Sequence, residues 1–146
     1  MRRMGTIAVV LLVLMAGVLA WVRLAPSDPA RWHLDPVAGL PAGVEPGQVA
    51  AQAGGAFLVL PGGAEVLARL DGVALATPRT ARLAGSVEEG RITWVTRSLI
   101  WGFPDYTTAQ LGPDGVVIHA RLRFGESDLG VNAKRLEAWK AQMAGG

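Results

Sequence analysis

The apolar positions of this chain change rhythm four times, and each rhythm predicts a different element. The first is continuous. Ile7 to Val22, IAVVLLVLMAGVLAWV, carries no charge, with Arg2 and Arg3 before it and Arg23 after it. As a helix, Thr6 to Val22 would reach about 25 Å, close to the roughly 30 Å of a hydrocarbon core. A transmembrane anchor over residues 1–24 is predicted, with Trp21 at the interface and Arg23 snorkelling out of it. The competing reading is a secretory signal cleaved after Val18-Leu19-Ala20. Retention is favoured, because the run exceeds a usual h-region of about 7–15 residues and cleavage would leave Trp21 as the new terminus. Either reading exports the rest of the chain. The expected placement is a single pass through the inner (cytoplasmic) membrane, with the C-terminal domain on the periplasmic, extracytoplasmic side.

The second stretch has no period. Residues 25–52 contain Pro26, Pro29, Pro36, Pro41 and Pro46, a density that prevents regular helix and favours an extended, semi-rigid spacer. It reads as a tether, with Trp32 and His33 as a candidate docking contact. The globular domain is then 53–146. Phe57 to Leu60, FLVL, reads as a buried strand between Gly55 and Pro61. Ala64 to Ala76 carries Val66, Leu70 and Val73 at helical spacing, with Leu67 and Ala74 beside them, and Pro78 closes it.

From Arg79 the period becomes two. Ala81, Leu83 and Val87 oppose Thr80 and Arg82, and after Glu88-Glu89-Gly90 a second run, Arg91 to Leu99, completes a hairpin. A second hairpin turns at Gly112-Pro113-Asp114-Gly115, where proline presets φ and glycine closes. In its outgoing strand Val116, Ile118, Ala120, Leu122 and Phe124 point to the core, while His119, Arg121 and Arg123 point to a wet face. The helical rhythm returns in Ala133 to Met143 through Leu136, Trp139 and Met143, with Asn132 as the expected N-cap. The fold class is therefore α+β. An N-terminal transmembrane helix precedes an antiparallel sheet of about five strands, ordered β-α-β-β-β-β-α, with two helices on one face.

Charge removes one class of partner. The chain has fourteen Lys and Arg against twelve Asp and Glu, but Arg2, Arg3 and Arg23 lie beside the apolar run. The eleven that remain are balanced by all twelve acids, so the domain lacks the basic footprint of a nucleic-acid binder. With no cysteine and only His33 and His119, disulfides and thiolate chemistry are excluded, and neither a metal site nor a cofactor is expected.

Candidate chemistry gathers in Arg121 to Arg135, RLRFGESDLGVNAKR, between a strand and a helix start. Arg121, Arg123, Ser127, Asp128, Asn132 and Arg135 crowd around Gly125 and Gly130, and a helix N-terminus presents N–H donors suited to an anion. Asp105 can join from the hairpin partner strand, and Arg97 from its neighbour. Val131 and Asn132 stand where a phosphate loop needs Lys and Ser or Thr, so a nucleoside triphosphate site is unsupported. Purely structural roles also account for these residues: an ion pair for Asp128, turns for the glycines and a cap for Asn132.

Arg123-x-Gly125-x-Ser127-Asp128-x-Gly130-x-Asn132-x-x-Arg135, with Phe103-Pro104-Asp105 some twenty residues upstream, resembles the family catalogued as domain of unknown function 1499. The resemblance covers roughly Phe57 to Trp139. It implies an envelope or membrane-associated protein, similar to bacterial members, or a plastid protein, similar to those of plants, without an established activity. Many members open with a cysteine-containing segment that this chain lacks.

The expected function is a membrane-tethered, non-enzymatic module binding a small anionic or polar ligand, a lipid head group or an envelope partner protein. The enzymatic alternative is a hydrolase assembled from Ser127, His119 and Asp128 or Asp105, although no nucleophile-elbow sequence surrounds Ser127. The third reading, a structural subunit of an envelope complex, predicts an exposed apolar patch.

Overall fold

The computed structural model of the protein describes residues 2–145; Met1 and Gly146, the outer bounds of the expected units, lie outside the described residues. Helix α1 (Arg2–Leu24) is followed by a single turn, α2 (Pro29–Trp32), and a short strand, β1 (Ala50–Gln52). The domain continues through β2 (Gly55–Leu60), α3 (Ala64–Ala76), β3 (Thr80–Ser86), β4 (Arg91–Arg97), β5 (Pro104–Gly112), β6 (Gly115–Leu122) and α4 (Val131–Ala144). The six strands form one antiparallel sheet in the order β1-β2-β6-β5-β4-β3. The α+β class, the apolar N-terminal helix and the two helices on one face are all present; β1 is the added strand.

Helix α1 is long enough, at 23 residues or about 34 Å, and apolar enough to cross a membrane. From Arg3 onward its side chains are exposed, apart from half-buried Leu19, until Val22, which is buried, as is Ala25 just beyond the helix.

The helix face of the sheet holds the main core. Leu58, Ile92, Trp94, Val116 and Ile118 from the strands meet Leu67, Leu70 and Ala74 of α3 and Leu136 and Trp139 of α4. Trp94 and Trp139 meet edge to face at 5.7 Å, a geometry worth about 1 kcal/mol beyond burial alone. Both indole N–H groups are satisfied, Trp139 by the Thr77 hydroxyl and Trp94 by the Asp71 carboxylate at 2.9 Å each. Asp71 is buried on α3 and also accepts from Arg82. A bulge between Arg82 and Ala84 offsets the alternation expected for β3, and Arg82, paired with Trp94, turns to the helix face.

The opposite face is covered, not wet. Phe57, Val59 and Val117 form a second apolar cluster against Val37, Leu40 and Val44 of the proline-rich segment. Trp32 stacks on Tyr106 with ring centroids 4.0 Å apart, and His33 Nδ1 shares a 2.9 Å hydrogen bond with Thr93 Oγ1. His119 stacks on Phe57 at 3.9 Å. Apart from the single turn α2, prolines keep residues 26–46 out of regular structure, so carbonyls there, including that of Trp32 at the end of the turn, remain free to accept from the sheet. Arg121 donates to Trp32 O, and Arg123 donates to Pro26 O at 3.0 Å.

Candidate functional site

Where β5 begins, β6 ends and α4 starts, a cavity of ≈ 330 Å³ opens between sheet and helix. Phe103, Leu122, Phe124, Leu129 and Val131 form apolar walls, and Asp105, Ser127, Asp128 and Ser98 supply oxygens. The position follows from register. Asp105 pairs with Leu122 across β5 and β6, so both side chains project to the helix face at one end of the two central strands.

The loop after β6 is shaped by Asp128. Its Oδ1 accepts from Gly130 N at 3.0 Å and its Oδ2 from Asn132 N at 2.9 Å, while its own N–H donates to Ala53 O at 3.1 Å. Leu129 and Gly130 follow with φ of 52° and 79°, which carry the chain into α4. The helix thus starts at Val131, two residues earlier than an Asn132 cap would place it. Gly130 takes the N-cap position without a side-chain bond, and the Asp128 carboxylate satisfies the first donors instead. Released from capping, Asn132 is fully buried in the first turn.

Asn132 accepts from Arg135, and Arg135 Nη2 bridges Asp105 Oδ2 at 3.2 Å with both side chains largely buried. The amide nitrogen of Asn132 makes no hydrogen bond of regular geometry, yet its side chain lies close enough to both carboxylates to favour their charged forms. Burial pushes the Asp105 carboxyl above its usual range, opposed by the Arg135 charge and hydrogen bond. Burial acts the same way on Asp128 but is outweighed by hydrogen bonds from Asn132 and Gly130, so its carboxyl lies below the usual range. Asp105 and Arg135 cancel formally, leaving Asp128 as the net charge of the cluster.

The sequence-predicted site therefore divides. Asp105, Ser127, Asp128, Asn132 and Arg135 come together at the start of α4. Arg121 and Arg123 do not, because residues of odd number on β6 project to the other face. There Arg121 also contacts His119 Nδ1 at 3.2 Å, and Arg123 donates to the Tyr106 hydroxyl at 3.1 Å. His119 lies on that face too, its pKa lowered to about 4 by burial and then by Arg121. The Ser127 hydroxyl accepts from Leu129 N at 3.3 Å, on the helix side. Ser127 and His119 are thus not brought together. Among the described residues no group of three His, Cys, Asp or Glu is arranged for a metal ion.

Leu122, Phe124, Leu129 and Val131 escaped the sequence reading as site residues. Their signal was present, since Phe124 and Leu129 are large apolar residues in a loop that is otherwise polar or glycine, and Val131 follows at the helix start; Leu129 is 87% exposed. A larger hollow of ≈ 590 Å³ between α3 and the last turn of α4 contains none of the predicted site residues.

The family model described as a protein of unknown function, DUF1499, matches residues 56–143. The chain belongs to this family. The match runs from β2 through α4 and so includes the whole carboxylate and arginine cluster. No curated protein matches the chain.

Proposed function

We propose that this DUF1499 member is a single-pass protein of the inner membrane whose extracytoplasmic domain is a non-enzymatic binding module. The ligand it suits is a small amphipathic molecule with an apolar body and a head that donates hydrogen bonds, as an amine or a hydroxyl does. One observation carries this reading: the ≈ 330 Å³ cavity has apolar walls and presents Asp128 and Asp105 as its charged groups. Of the three arginines that argued for an anion, Arg121 and Arg123 serve the opposite face and Arg135 is neutralised by Asp105. An apolar pocket with a few convergent polar groups is the usual form of a small-ligand site.

The cavity also lies beside the end of α1. Trp21 meets Phe124 at 5.5 Å between ring centroids, and Phe124 meets Phe103 at 6.0 Å. With α1 in the bilayer, the mouth stands at the interface, where amphipathic molecules concentrate.

Titration calorimetry of the detergent-extracted full chain with hexylamine and with hexanoate tests the assignment. Hexylamine should bind and hexanoate should not. Asp128→Asn keeps an acceptor for the loop but removes the charge, and it should weaken hexylamine binding about tenfold. Equal binding of the two probes, or an unchanged affinity in Asp128→Asn, overturns it.

A further inference from the structure

Three arginines outside this cavity converge beside the end of α1. Arg23, in the last turn of α1, Arg79, between α3 and β3, and Arg97, at the end of β4, line a separate hollow of ≈ 450 Å³ with Ser98, Leu99 and Gly102. No acidic side chain lines it, and none of the three makes an ion pair among the described residues. Each arginine is instead aimed by a single bond to a carbonyl. Arg23 Nη2 donates to Ile100 O at 2.8 Å, Arg79 Nε to Arg97 O at 3.0 Å and Arg97 Nη1 to Gly102 O at 3.0 Å. Most of their guanidinium donors remain uncommitted.

Two backbone features hold this arrangement. Gly102 has φ +72°, and a Cβ there would lie 2.9 Å from Arg23 Cγ and Nε, so a side chain at this position would be strained and would push Arg23 aside. Arg79 has φ 59°, in the left-handed region where glycine would be cheaper by about 1 kcal/mol. A side chain kept at such a position points to a use for it.

The loop between β4 and β5 continues the same surface. Leu99, Ile100, Trp101 and Phe103 are 72%, 71%, 46% and 40% exposed. This apolar tip is continuous with the end of α1 through the Arg23 bond to Ile100. Exposed apolar side chains beside unpaired cations, at the end of a helix able to span a membrane, match the layering of a phospholipid: acyl chain below, phosphate above.

We propose that Arg23, Arg79 and Arg97 form a binding site for the phosphate of an anionic phospholipid head group, with Leu99, Ile100 and Trp101 inserted among its acyl chains. The proposal rests on α1 being in the bilayer but not on the ligand of the neighbouring cavity. Full-length protein in nanodiscs of mixed phosphatidylcholine and phosphatidylglycerol, released for native mass spectrometry, gives the test. Phosphatidylglycerol should be retained over phosphatidylcholine, and Arg79→Ala/Arg97→Ala should lower that preference at least about tenfold. Arg79→Lys/Arg97→Lys retains the charge and should retain part of the preference, which separates lost binding from lost folding. Asp128→Asn, which disables the neighbouring cavity, should leave the preference unchanged.

Equal retention of the two lipids by the wild type overturns the site. So does competition by millimolar inorganic phosphate, which would assign the arginines to free phosphate. A protein partner extracted in stoichiometric amount and lost in the same variant would reassign the surface to protein.

Discussion

The two faces of the sheet are both covered, but by opposite kinds of chain. On one, α3 and α4 bury regular apolar stripes around Trp94 and Trp139. On the other, a proline-rich segment with a single helical turn lays Trp32, Val37, Leu40 and Val44 across Tyr106, Phe57 and Val117. The helix face is mainly apolar and periodic. The second face is held by stacked rings and by arginine bonds to the carbonyls of Pro26 and of Trp32 at the end of its turn, which the interior of a helix would have consumed internally. Irregular chain therefore makes a better partner for Arg121 and Arg123 than a helix would.

Substitution of one residue per face sharpens the contrast. Trp139→Ala empties the centre of the helix-face core and should cost about 3–5 kcal/mol in denaturant unfolding of the full chain. Trp32→Ala should cost about 2 kcal/mol, as it loses the stack on Tyr106 and the Arg121 guanidinium 5.7 Å from its ring. A free spacer would lose less than about 0.5 kcal/mol, so an effect that small would show that the second face is not a packed one.

Acid should act on the second face selectively. The pKa of His119 is lowered to about 4 in the folded state, below its ordinary value near 6.5. The unfolded chain therefore binds the proton first. Stability is fully present above pH 6.5 and falls as pH drops toward 4, by about 2 kcal/mol with residual solvent contact allowed for. Thermal unfolding across that window should show the slope, and His119→Gln should reduce it to the part that His33 contributes, whose pKa is also lowered by burial and then by Arg91. The smallest effect belongs to the helix start. Asp128→Ala removes the acceptor for Gly130 and Asn132 and should cost about 1 kcal/mol, whereas Ser127→Ala should be near neutral.

Much of the architecture was legible because it rests on local periodicity. Ala64–Ala76 was read with its bounds intact, and the hairpin closing at Gly112 and Gly115 was visible in its turn residues. Strand β1 was not, since three residues of AAQ carry no period. Asn132 was misassigned as a cap because cap preference is a local rule, and the competing acceptor, Asp128, reaches it only through the left-handed turn at Leu129 and Gly130. The candidate site was half legible. Proximity in sequence grouped Arg121 and Arg123 with Asp128, although the two-residue alternation of β6 already sends them to the other face.

By itself the sequence determined the apolar helix, the helices and hairpins of the domain, the absence of thiol chemistry and the family, all of which depend on composition or on short repeats. Tertiary structure alone decided what covers the second face, where Asp71 and Asn132 find their partners, and which arginines meet one another. Those outcomes depend on contacts between residues far apart in the chain, such as Arg23 with Ile100 and Arg121 with Trp32, and no local pattern encodes a contact of that range.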